Sequence, residues 1–372
     1  MIIVHVVEPF AAGIAVFVKA LTETMPDDLH IVIHGERMNV MSAKEVKKSF
    51  PPNVRFIKWK SAQRSINPLK DILALGELYR ILKGLKKKNL LDAVHLHSSK
   101  SGLLGRVACR LASISNIVYT PNGASFLSTG NGFASYIYQG LEKIGNGLGG
   151  QVICCSESEY QEYQKIGIPA YFINNGIDME EDEKEIPLVK NKFRIITSGR
   201  IEAQKNAALF NSIAGYFEEF DQFEFIWAGD GKDKKLLTAS NIKVTGWLSA
   251  AAVKKAVAKA DIYISTSLYE GLSFGILEAL ALQKPVLLSN CVGNKDVIRK
   301  GSNGDLFNSK MEAVLKILHY SNNRDMLRVM GSFSQQLCRE NFNMQQNFSN
   351  YRTVYARNIP DKVMFTAGTK LN

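Results

Sequence analysis

The first half of the chain alternates short apolar runs with longer stretches of helical period. The runs are five or six residues long and rich in β-branched side chains, which is typical of buried strands. Stretches of helical period over residues 13–24, 68–88 and 101–112 separate several of them. Strands joined by helices of this length predict βαβ units and a mostly parallel sheet. The apolar runs are IIVHVV, HIVIH, VRFIKW, AVHLH, NIVYT, QVICCS and AYFIN.

The second half repeats this pattern, with helical stretches over residues 207–220 and 250–260. The apolar runs there are FRIITSG, FEFIWAGDG, IKVTGW, DIYISTS and PVLLSN.

We therefore predict an α/β protein with two doubly wound, Rossmann-like domains that face a central cleft. The acidic stretch NNGIDMEEDEKEIPLVKNK lacks an apolar period and is a candidate linker. The predicted boundaries are 1–175 for the first domain, 176–192 for the linker and 193–341 for the second domain. Part of the tail over about 342–372 is expected to form a last helix that packs on one domain or bridges both.

Length and composition narrow the class of protein. The 372 residues exceed what one core usually supports, in agreement with two domains. Apolar runs long enough to span a membrane are missing, and the start MIIVHVVEPF resembles a buried strand more than a secretory signal, so a cytoplasmic location is expected. The five cysteines form no CxxC pair, so we expect neither a disulfide framework nor a cysteine metal site.

The net charge of +11 requires a partner or a solvated surface. Nucleic acid, an anionic membrane and a phosphate-bearing substrate would each suit a basic protein. Zinc-finger spacing and RNP-like aromatic signatures are both missing, so we expect no nucleic-acid partner.

Two cations follow the first strand of the second half. In SGRIEAQKN, Arg200 comes directly after the strand and Lys205 lies near the next helix start. In open α/β sheets, ligands bind outside the carboxyl ends of the strands, and such a pair of cations suits a diphosphate. The next strand ends in AGDG, with Gly229 and Asp230, and TGW follows with Gly246; glycines there allow a ligand to approach the backbone, although a plain turn explains them nearly as well.

The segment LYEGLSFGILEALAL places two carboxylates around a predicted helix start. Ser273 is a plausible N-cap, and the backbone N–H groups from Gly271 to Ile276 would form an anion site at the helix terminus. Glu270 would reach a polyol beyond the phosphates, and Glu278 would accept hydrogen bonds from vicinal hydroxyls, as acidic residues do with ribose. Two solvated surface glutamates are the alternative interpretation.

Three strand ends in the first half also carry candidate residues. The first strand is followed by a loop with Gly13, and another ends in His95 and His97, which alternation sends to one face of the sheet. A further strand is followed by Asn122 in YTPNGASF. No third metal ligand is evident beside the two histidines, and we expect no metal.

Taken together, these motifs resemble the retaining glycosyltransferases of family 4, especially members that build bacterial surface polysaccharides. The segments that carry the resemblance are GRIEAQKN, AGDG, TGW and YEGLSFGILEALALQKPVL, with HLHSSKSGLLGRVA, YTPNGASF, CCSESE and INNGID before them. The resemblance covers nearly the whole chain and implies a GT-B architecture, in which the last helix, over about 342–372, crosses back to the first domain.

The resemblance also implies roles for the matching residues. Arg200, Lys205 and Glu270 would be catalytic, with the two cations on the donor diphosphate and Glu270 on the donor sugar. Glu278 would bind the ribose, and Gly13, His97 and Asn122 would lie on the acceptor or sugar side. Further donor contacts would come from Gly271, Leu272, Ser273, Phe274, Gly275, Gly229, Asp230 and Gly246.

The implied activity is retaining transfer of a hexose or N-acetylhexosamine from a nucleotide diphosphate sugar to a saccharide acceptor, expected to be lipid-linked. No cofactor and no metal are implied. A sugar-nucleotide 2-epimerase of similar fold and a non-catalytic nucleotide-sugar-binding protein are the alternatives. Many relatives have histidine where this chain has Asn122, which leaves the donor sugar open.

The basic stretch GELYRILKGLKKKNL, residues 76–90, permits two interpretations. It has the pattern of an amphipathic helix that lies on an anionic membrane. It equally fits a surface helix that packs its apolar face on a sheet. A lipid-linked acceptor would favour peripheral contact with the inner face of the plasma membrane.

Overall fold

The computed structural model of the chain divides into two compact units. One comprises Met1–Asn175 with Met344–Asn372, and the other comprises Gly176–Asn343. The structure describes residues 1–8, 10, 12–35, 47–63, 67–129, 132–179 and 192–357. Most of the predicted linker and the end of the predicted last helix lie outside the described residues.

The described part of the first unit is built on a seven-stranded parallel sheet in the order β3-β2-β1-β4-β5-β6-β7. The strands are β1 Ile2–Val7, β2 Leu29–His34, β3 Val54–Lys58, β4 Ala93–His97, β5 Ile117–Thr120, β6 Gln151–Cys154 and β7 Ala170–Phe172. The helices are α1 Ala12–Thr24, α2 Pro68–Lys87, α3 Ser99–Leu111, α4 Phe133–Gly147, α5 Glu157–Lys165 and, at the end of the chain, α11 Met344–Tyr355.

The described part of the second unit contains a six-stranded parallel sheet in the order β10-β9-β8-β11-β12-β13. Its strands are β8 Phe193–Ser198, β9 Phe223–Ala228, β10 Ile242–Val244, β11 Ile262–Ser265, β12 Val286–Ser289 and β13 Gly304–Phe307. Its helices are α6 Ala207–Gly215, α7 Ala250–Ala258, α8 Phe274–Ala281, α9 Lys310–Asn322 and α10 Arg324–Asn341. The prediction of two Rossmann-like α/β domains is confirmed.

Helix α2 shows how local sequence sets an element. Asn67 precedes it and its side-chain oxygen accepts a hydrogen bond from the Lys70 N–H at 3.1 Å, while Pro68 occupies the first helical position. Lys86 and Lys87 lie in its last turn, where cations complement the helix dipole.

The apolar face of α2 agrees with the second interpretation of the basic stretch, a surface helix that packs on a sheet. Leu78 and Leu82 are fully buried and Leu85 is nearly so, because all three pack on the sheet. These leucines therefore do not form a membrane-facing surface. None of the helices in the described part of the chain combines the length and hydrophobicity that a membrane crossing requires.

Buried histidines form a layer on one face of the first sheet. His95 and His97 share that face as predicted, with ring centroids 4.0 Å apart. His5 Nδ1 lies 3.1 Å from His97 Nε2, and His5 Nε2 lies 3.0 Å from His30 Nδ1. Helices α1 and α11 cover this layer, and the Tyr355 hydroxyl of α11 lies 2.8 Å from His95 Nδ1.

The hydrogen bonds fix the tautomers along this chain of histidines. Because a carbonyl oxygen can only accept, His30 Nε2 donates to Met25 O at 3.3 Å, and His30 Nδ1 must then accept from His5 Nε2. His5 Nδ1 in turn accepts from His97 Nε2. Burial lowers the pKa of His5 well below its usual value and that of His97 to about 3, so the rings stay neutral.

We expect this layer to make the protein sensitive to acid. A histidine that is neutral when folded takes up a proton on unfolding at any pH below its unfolded pKa near 6.5, so stability falls as the pH drops from there toward the folded pKa. Replacing His5 by Gln, which can also donate and accept, should reduce the slope of unfolding free energy against pH between 5 and 6 by about 1.4 kcal/mol per pH unit. Denaturant titrations at several pH values measure this slope.

The matched control is His319→Gln, because His319 is exposed on α9 and the same group is removed. A slope that His5→Gln leaves unchanged would contradict the assignment of a neutral, proton-excluding layer.

Candidate functional site

The candidate site of the second unit lies at the carboxyl end of its central strand β8. Strand β8 ends at Ser198, and Gly199 and Arg200 follow it directly. The N–H of Gly199 donates to Ala228 O at 3.0 Å, which continues the pairing of β8 and β9 beyond the strand. The two neighbouring strand ends thus bring Gly199 and Gly229 together.

Glycine is required at this junction because the two backbones touch. A Cβ on Gly229 would lie 2.0 Å from Gly199 O, and a Cβ on Gly231 would lie 2.3 Å from Ile201 O. Both are far shorter than any real contact, so neither position has room for a side chain. Close backbone packing therefore explains both glycines of the AGDG motif, independently of any ligand.

Asp230 and Gly246 are neighbours in the same region. Asp230 Oδ1 accepts from the Gly231 N–H at 2.8 Å, and Lys234 Nζ lies 3.4 Å from its other oxygen. That oxygen is 3.7 Å from where a Cβ on Gly246 would stand, and Gly246 has a φ of +73°. The AGDG and TGW motifs thus form adjoining loops.

Lys205 and Glu270 form a largely buried ion pair. The distance from Lys205 Nζ to Glu270 Oε1 is 2.8 Å. Burial lowers the pKa of Lys205, but the neighbouring Glu270 and Tyr263 raise it, and the net pKa lies above its usual value. Lys205 Cε also lies 3.5 Å from where a Cβ on Gly199 would stand, so the ammonium is next to the end of β8.

Arg200 has a different partner. Its Nη1 lies 3.2 and 3.3 Å from the two carboxylate oxygens of Glu202, and both side chains are partly exposed. The rest of the guanidinium fork has donor capacity for a second anion. Two permanent cations therefore lie close to one strand end, as the sequence predicts.

Helix α8 begins beside this group of cations. Ser273 occupies the N-cap position as predicted, but its side chain makes no capping hydrogen bond. A Cβ on Gly275 would lie 2.6 Å from Ser198 Oγ and 2.8 Å from the Tyr263 hydroxyl, so only glycine lets the first turn of α8 pack on the end of β8. The first turn of α8, which carries Phe274 and Gly275, therefore lies against the strand end that carries Arg200.

Glu278 lies one turn further along α8 and is partly buried. Burial raises the pKa of its carboxyl to about 7, against an opposing effect of Lys254. Since no carboxylate-stabilising donor outweighs burial, this side chain is poised between its neutral and ionised forms near neutral pH.

Gln204 and Gly293 are site residues that sequence reasoning missed. Gln204 Nε2 donates to Tyr269 O at 3.0 Å and lies 3.4 Å from Glu270 Oε2. Gly293 leaves room for Glu270, since a Cβ there would lie 2.7 Å from the Glu270 Cβ. Gln204 adjoins Lys205 in the GRIEAQKN motif, but no spacing rule in the sequence indicates that it reaches a loop some 66 residues away.

In the first unit, Asn122 lies in a tight loop after β5. It has a φ of +55° and Gly123 follows with a φ of +93°. The Asn122 amide donates to Thr120 O at 3.2 Å, and its oxygen lies 3.4 Å from Cys155 Sγ. Asparagine tolerates this left-handed conformation better than most residues do.

Glu159 holds this loop in place and was also missed. Its fully buried carboxylate accepts hydrogen bonds from the N–H groups of Gly123, Ala124 and Cys155 at 2.8 to 2.9 Å. Burial raises its pKa to about 7, although those three N–H groups oppose the shift. The Ser-x-x-Glu spacing of Ser156 and Glu159 is a capping signal that was available in CCSESE.

Gly13 and His97 differ in their surroundings. Gly13 lies exposed in the first turn of α1, with open space where its Cβ would be. His97 is fully buried, and its Nδ1 finds no hydrogen-bond partner among the described residues.

The expectation that the histidine pair lacks a third ligand was wrong. Nitrogens of His5, His95 and His97 all lie within 4.8 Å of one another. Both nitrogens of His5 are hydrogen-bonded to histidines, and those of His95 lie 2.8 Å from Tyr355 and Thr120 oxygens. These contacts account for the cluster as a hydrogen-bonded layer.

Comparison with known proteins adds family information to this geometry. Residues 178–336 match the family model "Glycosyl transferases group 1", and residues 11–181 match "Glycosyltransferase Family 4". The chain is 28% identical over 330 residues to the UDP-Gal:alpha-D-GlcNAc-diphosphoundecaprenol alpha-1,3-galactosyltransferase of Escherichia coli. The matched region covers 80% of this chain and 83% of that protein.

Two solved structures have the same fold. Sucrose-phosphate synthase from Thermosynechococcus elongatus superposes with a TM-score of 0.77 at 14% identity, over 96% of this chain and 99% of the other. HepE of Anabaena, in complex with UDP and glucose, superposes with a TM-score of 0.75 at 16% identity and the same coverage.

We predict that Gly229 is essential for the stability of the second unit. Gly229→Ala should lower the free energy of unfolding by about 3 kcal/mol, because the new Cβ would force the ends of β8 and β9 apart. Denaturant unfolding followed by tryptophan fluorescence reports on this point directly, since Trp227 Nε1 donates to Gly199 O at 3.0 Å.

Gly215→Ala is the matched control. It lies in the last turn of α6, where the nearest atom to a new Cβ is Glu218 Oε2 at 3.9 Å. It should leave stability unchanged or raise it by roughly 0.5–1 kcal/mol. Equal stability of Gly229→Ala and wild type would refute the close-contact argument.

Proposed function

The chain belongs to the glycosyltransferases of GT-B fold, and we propose that it transfers a hexose or N-acetylhexosamine from a nucleotide diphosphate sugar to a lipid-linked saccharide. The reaction would proceed with retention at the anomeric carbon and contribute to bacterial surface polysaccharide synthesis. The protein would work in the cytoplasm, in peripheral contact with the inner face of the membrane.

The observation that carries the proposal is the convergence of Lys205, Arg200 and the start of α8 at the end of β8. Lys205 is held beside Glu270 at 2.8 Å and stays protonated, and Arg200 adds a second permanent cation. A diphosphate placed at this strand end would meet both cations and the positive end of a helix.

The neighbouring carboxylates suit the two ends of a nucleotide sugar. Glu278 on α8 would accept hydrogen bonds from the two ribose hydroxyls. Glu270, adjoining Lys205, would contact hydroxyls of the donor sugar, with the backbone of Gly271 to Gly275 beside it. The UDP in the HepE complex and the UDP-galactose named for the E. coli relative support a UDP-sugar as the donor.

The lipid-linked acceptor rests on the same relative, whose name specifies a GlcNAc carried on diphosphoundecaprenol. A saccharide on such a carrier stays at the membrane surface. The enzyme must therefore reach that surface to meet its acceptor.

The proposed chemistry needs no nucleophile from the protein. The bond from the anomeric carbon to the diphosphate oxygen breaks, and its electron pair goes to the leaving nucleoside diphosphate. The acceptor oxygen forms the new bond on the same face, and its proton passes to a phosphate oxygen of the leaving group. Lys205, Arg200 and the N–H groups at the start of α8 stabilise the charge that develops on the diphosphate, the task assigned to a metal ion in other enzymes.

We predict that Arg200→Ala and Lys205→Ala each lower turnover by on the order of a hundredfold or more, because each removes a charge that stabilises the leaving group. The assay measures nucleoside diphosphate release from UDP-sugars with polyprenyl-diphosphate-linked GlcNAc as acceptor. NMR of the product reports the anomeric configuration. Lys235→Ala, a charge loss at an exposed position nearby, is the control and should remain active.

Near-normal turnover of either variant would contradict the proposed role of that residue in stabilising the leaving diphosphate. Formation of an isomerised sugar nucleotide without transfer would identify an epimerase instead. Binding of UDP-sugars without any product would identify a non-catalytic binding protein.

We further predict that donor affinity rises with pH through neutrality. The carboxyl of Glu278 has a pKa raised to about 7, and only its ionised form accepts from both ribose hydroxyls. Affinity for UDP-glucose should therefore fall by up to about tenfold per pH unit below 7. The diphosphate of this ligand has no proton that titrates in that range.

Calorimetric titrations with UDP-glucose at pH 6, 7 and 8 measure the effect. Glu278→Gln should bind more weakly at pH 8 and lose the pH dependence, because an amide does not titrate. A pH dependence retained by Glu278→Gln would assign the titration to another group.

A further inference from the structure

Helix α4 is amphipathic in the opposite sense to a normal surface helix. The side toward the protein buries Ser135, Glu142 and Gly145, and Tyr138 packs partly buried against the core there. The side away from it exposes large apolar residues, and their exposed fractions range from 36% to 81%. The exposed residues are Phe133, Tyr136, Ile137, Leu141 and Ile144.

Specific contacts fix the helix in this orientation. The Tyr119 hydroxyl donates to Glu142 Oε1 at 2.8 Å, and Arg106 Nη1 lies 4.0 Å from the other carboxylate oxygen. The Arg106 guanidinium lies over the Tyr119 ring at 4.3 Å. A Cβ on Gly145 would stand 2.6 Å from Arg106 Nη1, so glycine is needed for this close approach. Helix α4 therefore cannot rotate to bury its apolar side without leaving Glu142 and Arg106 unpaired.

The surroundings of this apolar side are cationic. Helix α4 packs beside α3, and α3 packs beside α2. The three helices carry nine Lys and Arg residues and three Asp and Glu residues. Two of the nine cations pair with two of these carboxylates: Lys100 lies 2.7 Å from Asp71, and the buried Arg106 lies 4.0 Å from Glu142. Glu77 accepts from the Ser61 N–H at 2.8 Å. The remaining seven Lys and Arg residues are exposed.

A second group of exposed apolar residues lies on the first turns of α2. Leu69, Ile72 and Leu73 are 78%, 65% and 66% exposed. Helices α2 and α4 both run back from the carboxyl-terminal edge of the parallel sheet, so their first turns lie toward that edge. The exposed surface of these helices thus combines apolar side chains near one edge of the sheet with basic residues.

We propose that the outer side of α4, together with the first turns of α2, docks onto an anionic lipid bilayer. The aromatic and aliphatic side chains enter the boundary between headgroups and acyl chains, and the exposed lysines and arginines of α2–α4 contact anionic headgroups. The proposal rests on the proposed function in one respect, since a lipid-linked acceptor requires the enzyme to reach the membrane.

A second copy of the chain fits this surface less well. Symmetric pairing through α4 would bring two cationic surfaces together, and repulsion between like charges opposes such a contact. An anionic bilayer satisfies the apolar side chains and the positive charge at once.

The test measures binding of the full-length protein to vesicles by flotation. Wild type should float with phosphatidylcholine vesicles that contain phosphatidylglycerol, and much less with phosphatidylcholine alone. The triple variant Phe133→Ser, Tyr136→Ser, Ile137→Ser should bind the anionic vesicles on the order of tenfold or more weakly, because it removes the side chains that insert.

The matched control is Leu315→Ser, Val329→Ser, Phe333→Ser. These residues are 60%, 58% and 47% exposed on α9 and α10 of the other unit, so the control removes a similar amount of exposed apolar surface. It should float like wild type. Thermal unfolding of both variants checks that each is folded.

Four results would overturn the proposal. Wild type that stays unbound, or that binds neutral and anionic vesicles equally, would do so, as would a triple variant that still floats. A dimer of wild type in sedimentation experiments without lipid that dissociates in the triple variant would assign the surface to a second copy.

Activity is scored separately with a water-soluble acceptor. The triple variant should keep wild-type transfer to that acceptor if only docking is lost. If wild type floats but shows no transfer, the proposed function is refuted and the docking surface is still supported. If wild type shows transfer but does not float, the docking surface is refuted and the proposed function is still supported.

Discussion

The ion pair between Lys205 and Glu270 is the interaction on which the second unit's site depends. It joins the loop after β8 to the loop after β11, and these strands are neighbours in the sheet. A buried ammonium without a partner would be strongly destabilising, so Glu270 keeps Lys205 charged and in place before any ligand arrives. The same two loops are tied by the Leu268 N–H, which donates to Gln204 O at 2.8 Å, and by the Thr266 hydroxyl, which donates to Lys205 O at 2.7 Å. The cation is therefore preorganised by both backbone and charge.

The two units use comparable devices to position loops at strand ends. In the first unit the buried carboxylate of Glu159 gathers three backbone N–H groups and so fixes the loop that carries Asn122. In the second unit, glycines at the ends of β8 and β9 allow backbone contacts that no other residue permits. Glu159 is fully buried, so removing its carboxylate should disturb function by displacing the loop. The glycines set the path of the backbone, and at Gly229 that same backbone is a candidate donor contact.

The sequence predicted the architecture well because period and strand length are local properties. It missed β13, whose four residues Gly304–Phe307 include only two large apolar side chains. It failed where the outcome depends on long-range contacts. His5 joins His97 across 92 residues, and Gln204 joins Glu270 across 66, and neither pairing leaves a local signal.

An amphipathic pattern shows that a helix has two sides but not which side faces the protein. The basic stretch of α2, the candidate membrane helix from its sequence, buries Leu78, Leu82 and Leu85, whereas α4 exposes its apolar side.

Asn122 stands where many members of the resembled family carry a histidine. Its positive φ does not by itself select asparagine, since histidine is also enriched in that conformation. What distinguishes the asparagine is its amide, which bonds to the end of its own strand at Thr120 O and accepts from Cys155, so both of its polar atoms are engaged within the loop. An amide held in this way can orient a hydroxyl but cannot take up a proton.

The proposed reaction passes the acceptor's proton to the departing diphosphate and requires no base at the position of Asn122. The substitution is therefore compatible with catalysis, and its consequence should appear in which donor sugar is bound rather than in whether transfer occurs.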